Sequence, residues 1–188
     1  MIIVDRITDK KLNNKKFRKS EEATLDAFFL AKDYLSIKRI TQIAHISRST
    51  IYRHHGSVTK ITENYEVFIL KRYKKTIYKL LKTSTIRQLY RRTLIFIVAN
   101  KKIVQFLYQF GNHSTFEKMV YCLKPKIIVS HKVSNDEMFK IYAKEVTCII
   151  EDWAQKDYKI DDIPAVVSKI MYLTDTARVW LSPITSQK

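Results

Sequence analysis

The chain has 188 residues, 46% of them hydrophobic, and carries 35 Lys and Arg against 18 Asp and Glu, a formal net charge of +17. That length suits one or two helical domains, and two glycines and three prolines are too few for a turn-rich β fold, so an all-α protein is expected. The longest unbroken apolar run, Leu94 to Ala99, is too short to span a bilayer. With no secretory leader, and with Cys122 and Cys148 forming no CxxC pair, a reducing cytoplasm is expected rather than a disulfide.

Residues 1 to 19 read as a basic arm, with Lys10, Lys11, Lys15, Lys16, Arg18 and Lys19, set either against nucleic acid or simply in solvent. A helix follows from about Phe17 to Lys32, with Leu25, Ala27, Phe28 and Phe29 as its core side. Ser36 is placed to cap a helix whose Ile37, Ile40, Ile43 and Ala44 fall at helical spacing, and Ser47 to cap another ending near His54. Only His45 and Ile46 remain between them for a turn. In the second of these helices Ile51 is the sole aliphatic residue, so Ile46 and Ile51 anchor it while Arg48, Ser49, Thr50, Tyr52, Arg53 and His54 point elsewhere. No acid occurs from Lys38 to Val58, whereas a solvated helix face usually mixes Glu with Lys. Such a face suits an anionic partner.

Gly56 is a natural helix stop, and a long helix is expected from Thr59 to Lys82 with Ile61, Tyr65, Phe68, Ile69 and Leu80 inward. Further helices fall near 85 to 99, 101 to 110, 114 to 129, 135 to 157 and 161 to 181. The last opens with Asp161, Asp162 and Pro164, which suits the positive end of a helix and its unpaired N–H groups. Charge is uneven: residues 1 to 82 hold 19 basic and 8 acidic side chains, net +11, and 83 to 188 hold 16 and 10, net +6. The more basic half contains the paired short helices.

The segment Ser36 to His54 resembles the DNA-binding domain of TetR-type transcriptional regulators. Ser36 stands at the family's capping Thr, Ile40-Thr41 at its Ile-Ala pair, and Ala44-His45-Ile46-Ser47 at its turn. Arg48-Ser49-Thr50-Ile51-Tyr52-Arg53-His54 stands at its recognition helix. Two positions depart from the pattern: His45 replaces the turn Gly, and Val58 replaces a phosphate-binding Lys, a contact then either lost or passed to Lys60. The resemblance is specific over residues 20 to 82 and weaker beyond.

It implies a helix-turn-helix domain with a connecting helix at 20 to 82 and a helical ligand-binding and dimerisation domain at 83 to 188. Arg48, Ser49 and Thr50 would face base edges; Ser36, Lys38, Tyr52 and His54 would hold phosphates; Ser47 and Arg53 complete the interface. The helix ending at Trp153 and the one after it correspond to the family's dimer seam, supplied by Phe139, Val146, Ile149, Ile150, Trp153, Val166, Val167, Ile170, Leu173 and Ala177, with monomer core as the alternative. Phe68, Tyr90, Phe106, Phe110, Tyr121 and Tyr142 would bound a cavity for a small apolar effector, or else form core.

The expected partners are therefore double-stranded DNA with a near-palindromic operator, a second copy of the chain and a small apolar effector. A ligand-released homodimeric repressor is the first expectation. An effector-independent DNA binder working through a protein partner or as an activator is the second, and a basic nucleic-acid binder without sequence choice the third. An enzyme is not expected: no P-loop or nucleophile elbow occurs, and the histidines at 45, 54, 55, 113 and 131 have no metal-ligand spacing. No cofactor or metal is expected either.

Overall fold

Side-chain caps open several of the helices in the structure, a computed structural model that describes residues 19–20, 23–27, 30, 36–110, 114–131 and 136–181. Among these residues the secondary structure is helical throughout, with no strand. Residues 23–27 are helical, with Leu25 and Ala27 buried; of the expected arm over 1–19, Lys19 is helical and residues 1–18 lie outside the described residues, as do the core positions Phe28 and Phe29. Helix α1 spans Ile37–Ala44, α2 Arg48–His54 and α3 Val58–Tyr78. Helix α4 is Ile86–Ala99, α5 Lys101–Phe110, α6 Ser114–Tyr121 and α7 Lys124–His131. Helix α8 is Asp136–Gln155, a 3₁₀ turn covers Ile160–Asp162, and α9 is Ile163–Leu181.

Two of the expected helices differ by more than a turn-end residue or two from the sequence expectation. The long helix begins at Val58 and ends at Tyr78 rather than running from Thr59 to Lys82. Its carbonyls are taken up in turns, with Leu80 and Leu81 N–H donating to Ile77 O at 2.8 and 3.0 Å. Thr83, Ser84 and Thr85 follow, residues whose side chains favour caps and turns over helix interior. Thr85 then opens α4 with a capping box: its hydroxyl accepts from Gln88 N at 3.2 Å, and its own N–H donates to Gln88 Oε1 at 2.8 Å. The expected single helix over 114 to 129 is two helices. Pro125 has no N–H and its ring would clash with the carbonyl four residues back, at Tyr121, so the chain turns at Cys122 and Leu123 and restarts with Pro125 in a first turn.

The chain divides into two compact units, residues 1–69 with 102–112, and 70–101 with 113–188. This division differs from the expected boundary after Lys82. Helix α3 runs unbroken through Ile69 and Leu70, so no linker marks the change, and α5 from Lys102 onward belongs to the first unit. The buried side chains of the first unit include Ile40, Ile51, Ile61, Tyr65, Ile69, Val104, Phe106 and Leu107. Phe106 meets Tyr65 edge to face at 5.3 Å, and Lys102 reaches Asp26 at 2.8 Å, an exposed pair that contributes little.

In the second unit α8 packs on α6 and α9, and α9 packs on α4. Tyr73, Leu89, Leu94, Phe139, Val146, Ile150 and Ile170 are buried there. Between α8 and α9 the backbone takes two successive left-handed residues, Asp157 at φ 69° and Tyr158 at φ 57°. That conformation is costly for a residue as large as Tyr. Neighbours hold it: Trp153 Nε1 donates to Lys159 O at 3.0 Å, Tyr158 packs edge to face on Trp153, and Lys101 pairs with the Asp157 carboxylate at 2.6 Å. Among the described residues no helix is long and apolar enough to cross a membrane.

Candidate nucleic-acid interface

Helices α1 and α2 are joined by His45, Ile46 and Ser47, a turn whose geometry depends on His45. Its backbone is left-handed, φ 51° and ψ 38°, the conformation that an L-residue resists unless it is short and polar or aromatic like Asn or His. Both helix starts are capped as the sequence suggests, Ser36 Oγ accepting from Arg39 N and Ser47 Oγ from Thr50 N, each at 3.1 Å. Ile40 and Ile51 have almost no exposed surface and fix the two helices to the body, while Ile46 is half-buried. Gly56, at φ 84°, closes the far end of α2, with its N–H donating to Tyr52 O at 2.9 Å.

The outer surface of α2 is polar. Arg48 and Arg53 are exposed and Tyr52 keeps 51% of its surface in solvent. Lys38 on α1 is exposed, Ser36 is half-buried at its cap, and Lys60 is half-buried in the first turn of α3, where its N–H donates to Ser57 Oγ at 3.2 Å. Arg39, beside Lys38, is a further exposed cation that the sequence reading passed over; its signal was adjacency to Lys38 on the polar side of α1. Residues 34 to 62 contain no acid, so nothing of opposite sign along this stretch neutralises these cations.

Ser49 and Thr50 behave differently from the arginines. The Ser47 hydroxyl lies 2.8 Å from Ser49 Oγ and 2.8 Å from Thr50 Oγ1. These two side chains are turned back onto the cap, so outward reach from the first turn of α2 rests on Arg48. The side chain of His54 lies outside the described residues. His55, the neighbouring position, is 1% exposed, and its ring stands 5.6 Å from that of Tyr65.

The six expected cavity residues fall in two units: Phe68, Phe106 and Phe110 in the first, Tyr90, Tyr121 and Tyr142 in the second. Phe106 and Tyr90 are fully buried, and the Tyr90 and Tyr142 hydroxyls are 2.7 Å apart. Burial pushes the Tyr142 hydroxyl above the ordinary tyrosine range, against the lowering effect of its bonds with Thr174 and Tyr90. These hydroxyls serve the core, a use that the spacing of aromatics did not disclose.

Of the expected seam residues, Phe139, Val146, Ile150, Trp153, Val166, Val167 and Ile170 are buried within the chain itself. None of the seven keeps more than 6% of its surface exposed, so they have little to give a second copy and their burial favours protomer core, the alternative weighed above. Ile149 and Leu173 keep some exposure and, with Ser168, Lys169, Tyr172 and Thr176, line a groove of about 520 Å³ on α8 and α9. Tyr172 is 77% exposed. The side chain of Ala177 lies outside the described residues.

Among the described residues no three His, Cys, Asp or Glu side chains gather as a metal-holding group. Comparison with known proteins adds no relative: no protein-family model, no curated protein and no solved structure matches the chain.

Proposed function

We propose that the chain is a sequence-specific, double-stranded-DNA-binding transcriptional regulator of the TetR type, acting as a homodimer on a near-palindromic site. The observation that carries this reading is the α1–turn–α2 unit: two capped helices, a left-handed His45 between them, and an acid-free outer face with Arg48, Tyr52 and Arg53 exposed. Helix-turn-helix proteins lead into the major groove with the first turn of the second helix, and here that turn offers Arg48, whose guanidinium matches the two acceptors of guanine. Lys38, Arg39, Tyr52 and Lys60 then contact phosphates, which fix register without reading sequence. In a two-fold dimer the two reading helices sit about 34 to 36 Å apart or somewhat more.

The chemistry asked of the chain is recognition, not catalysis, in keeping with a cytoplasmic regulator. Between ligand-released and effector-independent action, the bonded and buried Tyr90 and Tyr142 hydroxyls favour the second, because two of the three tyrosines expected at the cavity already spend their hydroxyls on bonds within the core.

Duplexes selected from a random pool by the purified chain test the reading. Arg48→Ala is expected to cost about 1 to 3 kcal/mol on the selected sequence and much less on random duplex, while Tyr52→Phe weakens both by one factor. A pool that yields no sequence preferred over random duplex would overturn the assignment.

A further inference from the structure

The fifty residues from 67 to 116 contain no Asp or Glu and eleven Lys or Arg, and ten of those cations lie between Leu70 and Lys101, in the second unit and outside the α1–α2 motif. Nine of the ten are exposed on two neighbouring helices or the turn that joins them; the tenth, Lys101, is half-buried and paired with Asp157. On α3 one side is apolar and buried, with Ile69 and Tyr73 at 0% and Ile77 at 1% exposure, while Lys71, Lys74 and Lys75 are exposed, as is Lys79 just beyond the helix. On α4 Arg87, Arg91 and Arg92 are exposed. The hydroxyl of Tyr73 bonds Thr93 Oγ1 at 2.7 Å, which pins the two helices together and holds both sets of cations on one unit.

A solvated helix face ordinarily alternates the signs of its charges, because like charges three or four residues apart repel. Here Lys71 stands one turn from Lys74 and Lys75, and Arg87 one turn from Arg91, with no acid between them to relieve the repulsion. A polyanion relieves it. Three properties point to duplex nucleic acid among polyanions. The apolar side of α3 is consumed by the protein's own core, so no face is left to insert among lipid chains. Tyr78, 74% exposed, is the one large exposed aromatic side chain described on these two helices, which leaves little on which single-stranded bases would stack or a protein hot spot would form. The hydroxyl and amide groups interspersed at exposed Thr76, Thr83 and Gln88 are of the kind that accompany Lys and Arg on phosphates.

We propose that the exposed basic face of α3 and α4 is a second duplex-binding surface, which holds the phosphate backbone without reading sequence. It goes beyond the recognition-helix reading and does not depend on it.

The test uses full-length chain carrying Arg48→Ala and Arg53→Ala, so that the cations of α2 are already removed, and random-sequence duplex titrated at increasing salt. Adding Lys71→Gln, Lys74→Gln, Lys75→Gln and Lys79→Gln is expected to reduce the slope of log affinity against log salt by about 3 to 4, since each phosphate contact contributes about 0.9. A control of equal charge change, Lys140→Gln, Lys144→Gln, Lys156→Gln and Lys159→Gln on α8 and the turn after it, is expected to change the slope by less than about 1. Equal losses in the two variants would reduce the effect to net charge and overturn the proposal, as would an unchanged slope in the first. Vesicles with about a third phosphatidylserine form a further arm, and loss of vesicle binding without loss of duplex binding would assign the face to membrane instead. Circular dichroism monitors folding. Should the lysine variant unfold, Arg87→Gln, Arg91→Gln and Arg92→Gln on α4 decide the matter, with a slope reduction of about 2 to 3 expected and no reduction overturning the surface.

Discussion

The hydroxyl of Tyr90 donates to that of Tyr142 across 2.7 Å, and the direction of that bond follows from a third residue. Thr174 gives its only hydroxyl proton to Ile170 O at 2.6 Å, so at 2.9 Å from Tyr142 it accepts. The Tyr142 proton is thereby spent, and toward Tyr90 this hydroxyl is an acceptor. All three side chains are buried, so each proton needs its partner. Tyr142→Phe strands the Tyr90 donor and is predicted to cost about 1 to 3 kcal/mol, whereas Tyr90→Phe removes only an incoming bond and costs about 0.5 to 1.5. The double variant should lose less than the sum, because the stranded donor goes with it. Urea unfolding of the three variants checks the order; a costlier Tyr90→Phe would reverse the assigned direction.

The same burial makes stability sensitive to alkali. Loss of water around the ring raises the Tyr73 and Tyr90 hydroxyls well above the usual tyrosine range; for Tyr90 the neighbouring Tyr142 adds to the effect, while for Tyr73 the Thr93 bond opposes it. A group whose folded pKa is raised stabilises fully below its unfolded pKa, here about 10, and that stability is lost as pH climbs toward the folded value. Each such tyrosine is predicted to remove about 1.4 kcal/mol per pH unit above about pH 10. Tyrosinate absorbance and helical circular dichroism, followed in one titration, should change together for the buried residues. Ionisation of all eleven tyrosines with the helices intact would contradict the prediction.

The turn before α2 gives a third expectation. At φ 51° His45 occupies backbone space that costs an ordinary L-residue about 1 to 2 kcal/mol, and glycine enters it freely at some entropic cost in the unfolded chain. Those two effects nearly cancel for His45→Gly, which is predicted to be neutral or stabilising by up to about 1 kcal/mol. His45→Val, stiff and β-branched, should lose about 1 to 2 kcal/mol. Thermal melts rank the three chains, and a valine variant as stable as the parent would mean that the turn relaxes to another conformation.

What could be read from sequence follows the range of the physics. Ser36, Ser47, Gly56 and His45 act through bonds within four residues; the serines and the glycine took the conformations that their local chemistry favours, and His45 one that it tolerates. The break at Pro125 was equally local, though the apolar period across 114 to 129 hid it. Long-range assignments fared otherwise. Helical spacing marks both Ile149 and Ile170 as apolar-face residues, yet only the packing of α8 on α9 shows that the first keeps exposure and the second keeps none. Nor does any local signal say that Tyr90 and Tyr142, 52 residues apart, share a proton, or that residues 102 to 112 belong with the first unit.

That difference between Ile149 and Ile170 separates assembly from folding in the proposed homodimer. If the second copy seats along the groove of α8 and α9, its contacts are Ile149, Tyr172 and Leu173, the apolar side chains that remain accessible there. Tyr172→Glu, at a position 77% exposed in the single chain, is predicted to leave the helices intact and to convert dimer into monomer, since it places a charge in an interface core that disfavours one. Ile170→Asp instead buries an unpaired carboxylate inside the protomer and should unfold it, at a cost of several kcal/mol. Sedimentation velocity with circular dichroism on both variants distinguishes the cases. A Tyr172→Glu chain that remains dimeric would move the interface off this groove, and a folded monomer from Ile170→Asp would return the buried residues of α9 to the seam.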